Sequence, residues 1–139
     1  MAFAFYTDSG LVNELVSNLI FTQPSDHSSL PGDQIIYLGS NDTDREIGAD
    51  NDYGVDQIVV TPTDGDPGNN HEKEEITLSL DAAGLDINIA GDPLNLGLTI
   101  SSGVGFQVAV YIRVRDATSA IGVSTELSLQ TNSLREIIV

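Results

Sequence analysis

The residues of this chain best placed to do chemistry are its acids. Eleven of the 21 Asp and Glu residues fall within the 34 positions from Asp42 to Glu75. Carboxylates gathered on loops suit Ca²⁺, which takes about six to eight oxygen ligands. The closest template runs from Asp64 through Asp66, Gly68 and Asn69, with Glu75 at the twelfth place. It has Gly68 where the fifth ligand belongs, Asn69 where the loop needs glycine, and Pro67 inside the turn. The match is poor, and solvated acidic loops are the better expectation. A carboxylate pair for glycoside hydrolysis would need acids on strands lining a cleft with aromatic platforms. There is no Trp, and these acids lie in turn-like sequence.

The other candidates are fewer. His27 and His71 stand in polar stretches 44 residues apart, and there is no Cys, so zinc would need both imidazoles plus carboxylates. Surface histidines are expected instead. Serines are plentiful, but no Gly-x-Ser-x-Gly elbow accompanies them. Gly103-Val104-Gly105 lacks the Lys-Ser/Thr of a phosphate loop and reads as a bend. Arg113 and Arg115, two apart, project from one face of a strand, with Tyr111 on the same side. They are expected either to be satisfied by acidic loops folded over that face or to anchor a protein interface, where Arg and Tyr are enriched. Tyr111, Arg113 and Arg115 are therefore the candidate interface residues. No catalytic residue, cofactor or metal site is expected.

The stretch that positions them is Phe106 to Asp116. Phe106, Val108, Val110, Ile112 and Val114 alternate with Gln107, Ala109, Tyr111, Arg113 and Arg115, the period of a strand with one face in a core. Further strands are expected at Ala2–Tyr6, Gln34–Leu38, Gln57–Thr61, Glu75–Leu80, Ile87–Ala90, Leu94–Ser101, Val123–Leu129 and Leu134–Val139. Leu11 to Ile20 carries a helical stripe (Leu11, Leu15 and Leu19 beside Val12, Val16 and Ile20) behind Asp8 or Ser9 as a cap. It is expected to be a short helix or a strand entered late. Ser40–Asp56 and Pro62–Asn70 read as loops, and Asp81–Asp86 as no more than a helical turn. Many short strands, frequent turn signals and at most one short helix predict an all-β chain. The expected architecture is an antiparallel β-sandwich, jelly-roll or immunoglobulin-like, with long acidic loops.

At 139 residues the chain suits one domain, residues 1–139. Hydrophobic content of 40% with 19% charged residues argues against disorder. Five Lys and Arg against 21 acids leave a formal net charge of −16. Such a surface repels nucleic-acid phosphates and anionic membranes, so neither is an expected partner. It favours solubility and a basic patch on another protein. No apolar run approaches a bilayer's thickness and no basic leader opens the sequence, so a product made in a cytoplasm is expected.

Several phrases then carry a resemblance. They are Met1-Ala-Phe-Ala-Phe-Tyr-Thr-Asp8, Tyr37-Leu-Gly39, Gly54-Val-Asp-Gln-Ile-Val-Val60 and Ala83-Gly-Leu-Asp86. Pro93-Leu-Asn-Leu-Gly97, Ser102-Gly-Val-Gly105 and Val110-Tyr-Ile-Arg-Val114 complete them. In that order they resemble a family of small β-rich virion proteins of tailed bacteriophages; the acidic belt and the helix-like Leu11–Ile20 depart from its pattern. The resemblance implies a non-enzymatic virion component assembled in the host cytoplasm. A capsid decoration (cement) protein comes first, with a tail, baseplate or fibre accessory as alternative. It implies a homo-oligomer partnered by the major capsid protein or other virion proteins. A lectin-like carbohydrate-binding module is the reading from another class.

Overall fold

The computed structural model describes residues 1–116 and 121–139. Among the described residues, ten strands form three antiparallel sheets: β1 (Ala4–Tyr6), β2 (Gln34–Gly39), β3 (Arg45–Ala49), β4 (Ile58–Asp64), β5 (Ile76–Ser79), β6 (Leu94–Gly97), β7 (Thr99–Ser101), β8 (Val108–Val114), β9 (Leu127–Thr131) and β10 (Leu134–Ile138). The orders are β1-β2-β8-β5, β10-β3-β7 and β6-β4-β9. Helix is confined to 3₁₀ turns at Lys73–Glu75 and Ala83–Asp86 among the described residues. None is long and apolar enough to cross a membrane. One cluster of buried side chains draws on all three sheets, including Ile36, Ile47, Ile58, Val60, Val110 and Ile112. The chain is all-β and antiparallel, compatible with a β-sandwich.

β8 lies inside the four-stranded sheet, between β2 and β5. Val110 and Ile112 are buried as their parity requires, each worth about 1.5–3 kcal/mol of transfer free energy. The expected core face is shorter than its sequence alternation. Phe106 is 63% exposed, because the chain is still turning there: Gly103 and Gly105 have positive φ, and the Phe106 N–H bonds the Gly103 carbonyl.

Several other expectations are corrected. Leu11–Ile20 forms no helix. The Asp8 carboxylate does accept N–H groups from Val12 and Asn13, as a cap would, but the chain then runs extended. Leu15 donates to the Phe5 carbonyl, and Tyr6 and Glu14 bridge. Leu15, Leu19 and Phe21 pack on the core while Val12, Val16 and Ile20 face out. Ser40–Asp56 contains β3, hidden because only Ile47 is a large apolar residue and Gly48 replaces a side chain. A Cβ on Gly48 would lie 2.8 Å from the Tyr53 ring, so that ring occupies the space.

β4 continues through Pro62 to Asp64. β6 pairs only with Ile58–Val60, so beyond Val60 that side of β4 is an edge, where a missing N–H is tolerated. With β3 and β4 inside it, the acidic belt is not one long loop. Ile87–Ala90 is no strand; Ile87 and Asn88 both donate to the Gly84 carbonyl, and Ile87 and Ile89 are exposed.

Leu94–Ser101 is two strands in different sheets. Gly97, at φ +116°, turns the chain from β6 beside β4 to β7 beside β3. β5 is buried on both faces, with Leu80 outside it, and β9 begins at Leu127, leaving Val123 exposed. The turn expected from Thr118 to Gly122 lies largely outside the described residues.

Candidate functional site

The Arg113 face of β8 is covered by the chain's own acids. The guanidinium makes a two-pronged contact with Asp33, Nε to Oδ1 and Nη2 to Oδ2 both at 3.0 Å. Nη1 donates to Asp86 Oδ1 at 2.6 Å and to the Leu85 carbonyl at 3.2 Å. The Asp33 loop and the Ala83–Asp86 turn thereby close over the strand. This fork geometry matches a planar guanidinium to a carboxylate, and each charge favours the other's ionised form. The Arg113 hydrogen bond holds the Asp33 carboxyl below its usual range, and Asp33 and Asp86 raise the Arg113 pKa. Arg115 differs: its Nη1 donates to the carbonyls of Pro31 and Val114. Tyr111 is half-buried. The structure thus places the three candidate interface residues on one face, with Arg113 bonded inside the chain.

The second constellation joins His71, Glu75 and Asp116. His71 Nδ1 lies 3.1 Å from Glu75 Oε1 and 3.3 Å from Asp116 Oδ1. Local structure explains the convergence. Glu72 and Glu75 bracket the first 3₁₀ turn, with the Glu72 N–H donating to Glu75 Oε2 at 2.6 Å and the Glu75 N–H to the Glu72 carbonyl. That turn delivers Glu75 to the start of β5, where it is buried. β5 pairs with β8, Ile76 opposite Val114, and the ladder continues as the Arg115 N–H bonds the Glu75 carbonyl. Asp116 shares the inward parity of Val110, Ile112 and Val114, opposite to Arg113 and Arg115.

Burial tends to lower the His71 pKa. The hydrogen bond and charge of Glu75, with the charges of Asp116 and Glu126, outweigh it, and the net shift is upward. Glu126 belongs to the same corner: its Oε1 accepts the His71 backbone N–H at 2.7 Å. Its Oε2 is buried with no partner among the described residues.

The cluster borders an open groove of about 1110 Å³. Phe5, Phe21, Ile112, Val114, Leu127 and Leu129 contribute apolar lining, and His71, Glu75 and Asp116 line it too. Chemically, three such groups can hold a proton or a cation between two carboxylates.

Several sequence expectations are redrawn here. His71 is half-buried, with the buried Glu75 beside it. Asp66 is engaged locally, its Oδ1 accepting from Asn69 and its N–H donating to Asp64 Oδ1. Among the described residues, His71, Glu75 and Asp116 are the group whose ligand atoms converge; His27, Asp64 and Asp66 are not in it. Two signals for the cluster were in the sequence: the i, i+4 spacing of His71 and Glu75, and an acid on the core parity of β8. Comparison with protein-family models, curated proteins and solved structures returns no match.

Proposed function

We propose that this chain is a non-enzymatic structural component of a tailed-phage virion, a decoration protein that docks as an oligomer on the assembled capsid and stabilises it. The observation that carries the reading is how the charge is distributed. Of five basic residues, Arg113 and Arg135 are ion-paired to the chain's own Asp33, Asp86 and Asp50. Arg115 is bonded to backbone carbonyls. With 21 acids in all, the exterior offers a basic partner surface an excess of carboxylates. The resemblance of phrases such as Tyr37-Leu-Gly39, Pro93-Leu-Asn-Leu-Gly97 and Val110-Tyr-Ile-Arg-Val114 to tailed-phage virion proteins supports the same reading.

A decoration protein adds contact area across shell subunits without rearranging them, so a rigid acidic β domain suits the task. The test is direct. Gradient-purified particles should contain the chain in a fixed ratio to the major capsid protein, with its density on the outer shell. Its absence from particles, or density confined to the tail, would overturn the reading.

A further inference from the structure

The geometry points to a binding site for a first-row divalent metal ion of the zinc class at His71 Nδ1, Glu75 Oε1 and Asp116 Oδ1. Such a site does not depend on the virion reading. Donor atoms set tetrahedrally around such an ion, with bonds of about 2.0–2.2 Å, sit roughly 3.3–3.6 Å from one another. The two nitrogen-to-oxygen separations here are 3.1 and 3.3 Å, and all three ligand atoms lie within 4.8 Å of one another, so small shifts bring them to that spacing. A proton satisfies this arrangement less well. Nδ1 carries at most one N–H, which can point straight at one acceptor only, yet two carboxylate oxygens stand within reach of it. A cation in front of the ring nitrogen serves all three donors together.

Charge and support point the same way. Two carboxylates converge on a single imidazole, and the nearby Glu126 adds a third whose Oε2 is buried without a partner among the described residues. Hydrogen bonds to the Glu75 carboxylate and to the His71 backbone brace two of the ligands. Glu75 Oε2 accepts the Glu72 N–H, and Glu126 Oε1 holds the His71 backbone. His71 and Asp116 are each about one-fifth exposed (21% and 23%), and the groove reaches all three residues. The ion therefore has an entry path, and water has room to complete its coordination. Bound there, it would tie the connection between β4 and β5 to the end of β8.

Calorimetric titration of the untagged, chelator-treated chain with Zn²⁺ at neutral pH tests this. One ion per chain should bind, with affinity at least tenfold weaker in both His71→Gln and Asp116→Asn and unchanged in His27→Gln. Absence of saturable binding, or wild-type affinity in either ligand variant, would overturn the site, since surface carboxylates would then explain any uptake. Should either variant misfold by circular dichroism, long-range ¹H–¹⁵N spectra of the wild-type chain decide. Zn²⁺ should shift the Nδ1 resonance of His71, and a shift confined to His27 or absent altogether would contradict the assignment.

Discussion

Two side-chain pairs make the physical account testable one residue at a time. Asp33 ionises more easily in the fold because Arg113 grips it. Its contribution to stability is complete above the ordinary value of 3.8 and is lost as pH falls through the lower folded value. Asp33→Asn should therefore lower the melting temperature at neutral pH, and the gap to wild type should close under acid. A gap that persisted at the lowest pH would mean that packing, not charge, carries the contact. Tyr53 behaves in the opposite sense. Burial, then its hydrogen bond to Glu46 at 2.7 Å, raises its pKa from 10.0 to about 12. The neutral phenol's contribution is complete below the ordinary value and is lost as pH rises through about 12. In an ultraviolet titration, the wild-type minus Tyr53→Phe difference should rise near 12, and a rise near 10 would contradict the half-buried, hydrogen-bonded placement.

Among the elements, β8 holds the largest share of the argument. It orders β2 and β5, buries Val110 and Ile112, presents Arg113 to the covering loops and ends at Asp116. Val110 is fully buried. Val110→Ala should cost about 2–4 kcal/mol in urea unfolding, the range for an aliphatic truncation that leaves a cavity. Gly48→Ala tests the missed strand β3. The new methyl must displace the Tyr53 ring, at a cost of about 1–3 kcal/mol, with the Tyr53 titration moving towards its ordinary value.

How legible these elements were follows from what forms each one. β8 could be read because alternating β-branched residues reflect one buried face, while β2, β5 and β10 showed as short apolar stretches between turn signals. β3 could not, since a single isoleucine marks it and its other face is filled by a tyrosine from elsewhere in the chain. Leu11–Ile20 misled because its apolar residues satisfy a helical period as well as an extended one, and tertiary contact with β1 decided between them. The Arg113 face was legible as a pair of alternatives. The His71 corner was not, since its three members meet only through the β5–β8 register and the preceding turn.

At the scale of the molecule, charge is the governing quantity. A chain at −16 whose basic residues are largely bonded to itself should meet a partner by complementarity with a basic surface, and salt should weaken that encounter. Raising ionic strength should release the chain from the shell without unfolding it, as circular dichroism of the released fraction would show. Release only under denaturing conditions would indicate an apolar interface instead. The central claim, that the chain is a stoichiometric part of the capsid exterior, is tested most directly by electron microscopy of intact particles. The account predicts density matching this β domain at repeated, symmetry-related positions on the outer shell. Particles whose shell density is fully explained by the capsid protein alone would contradict it.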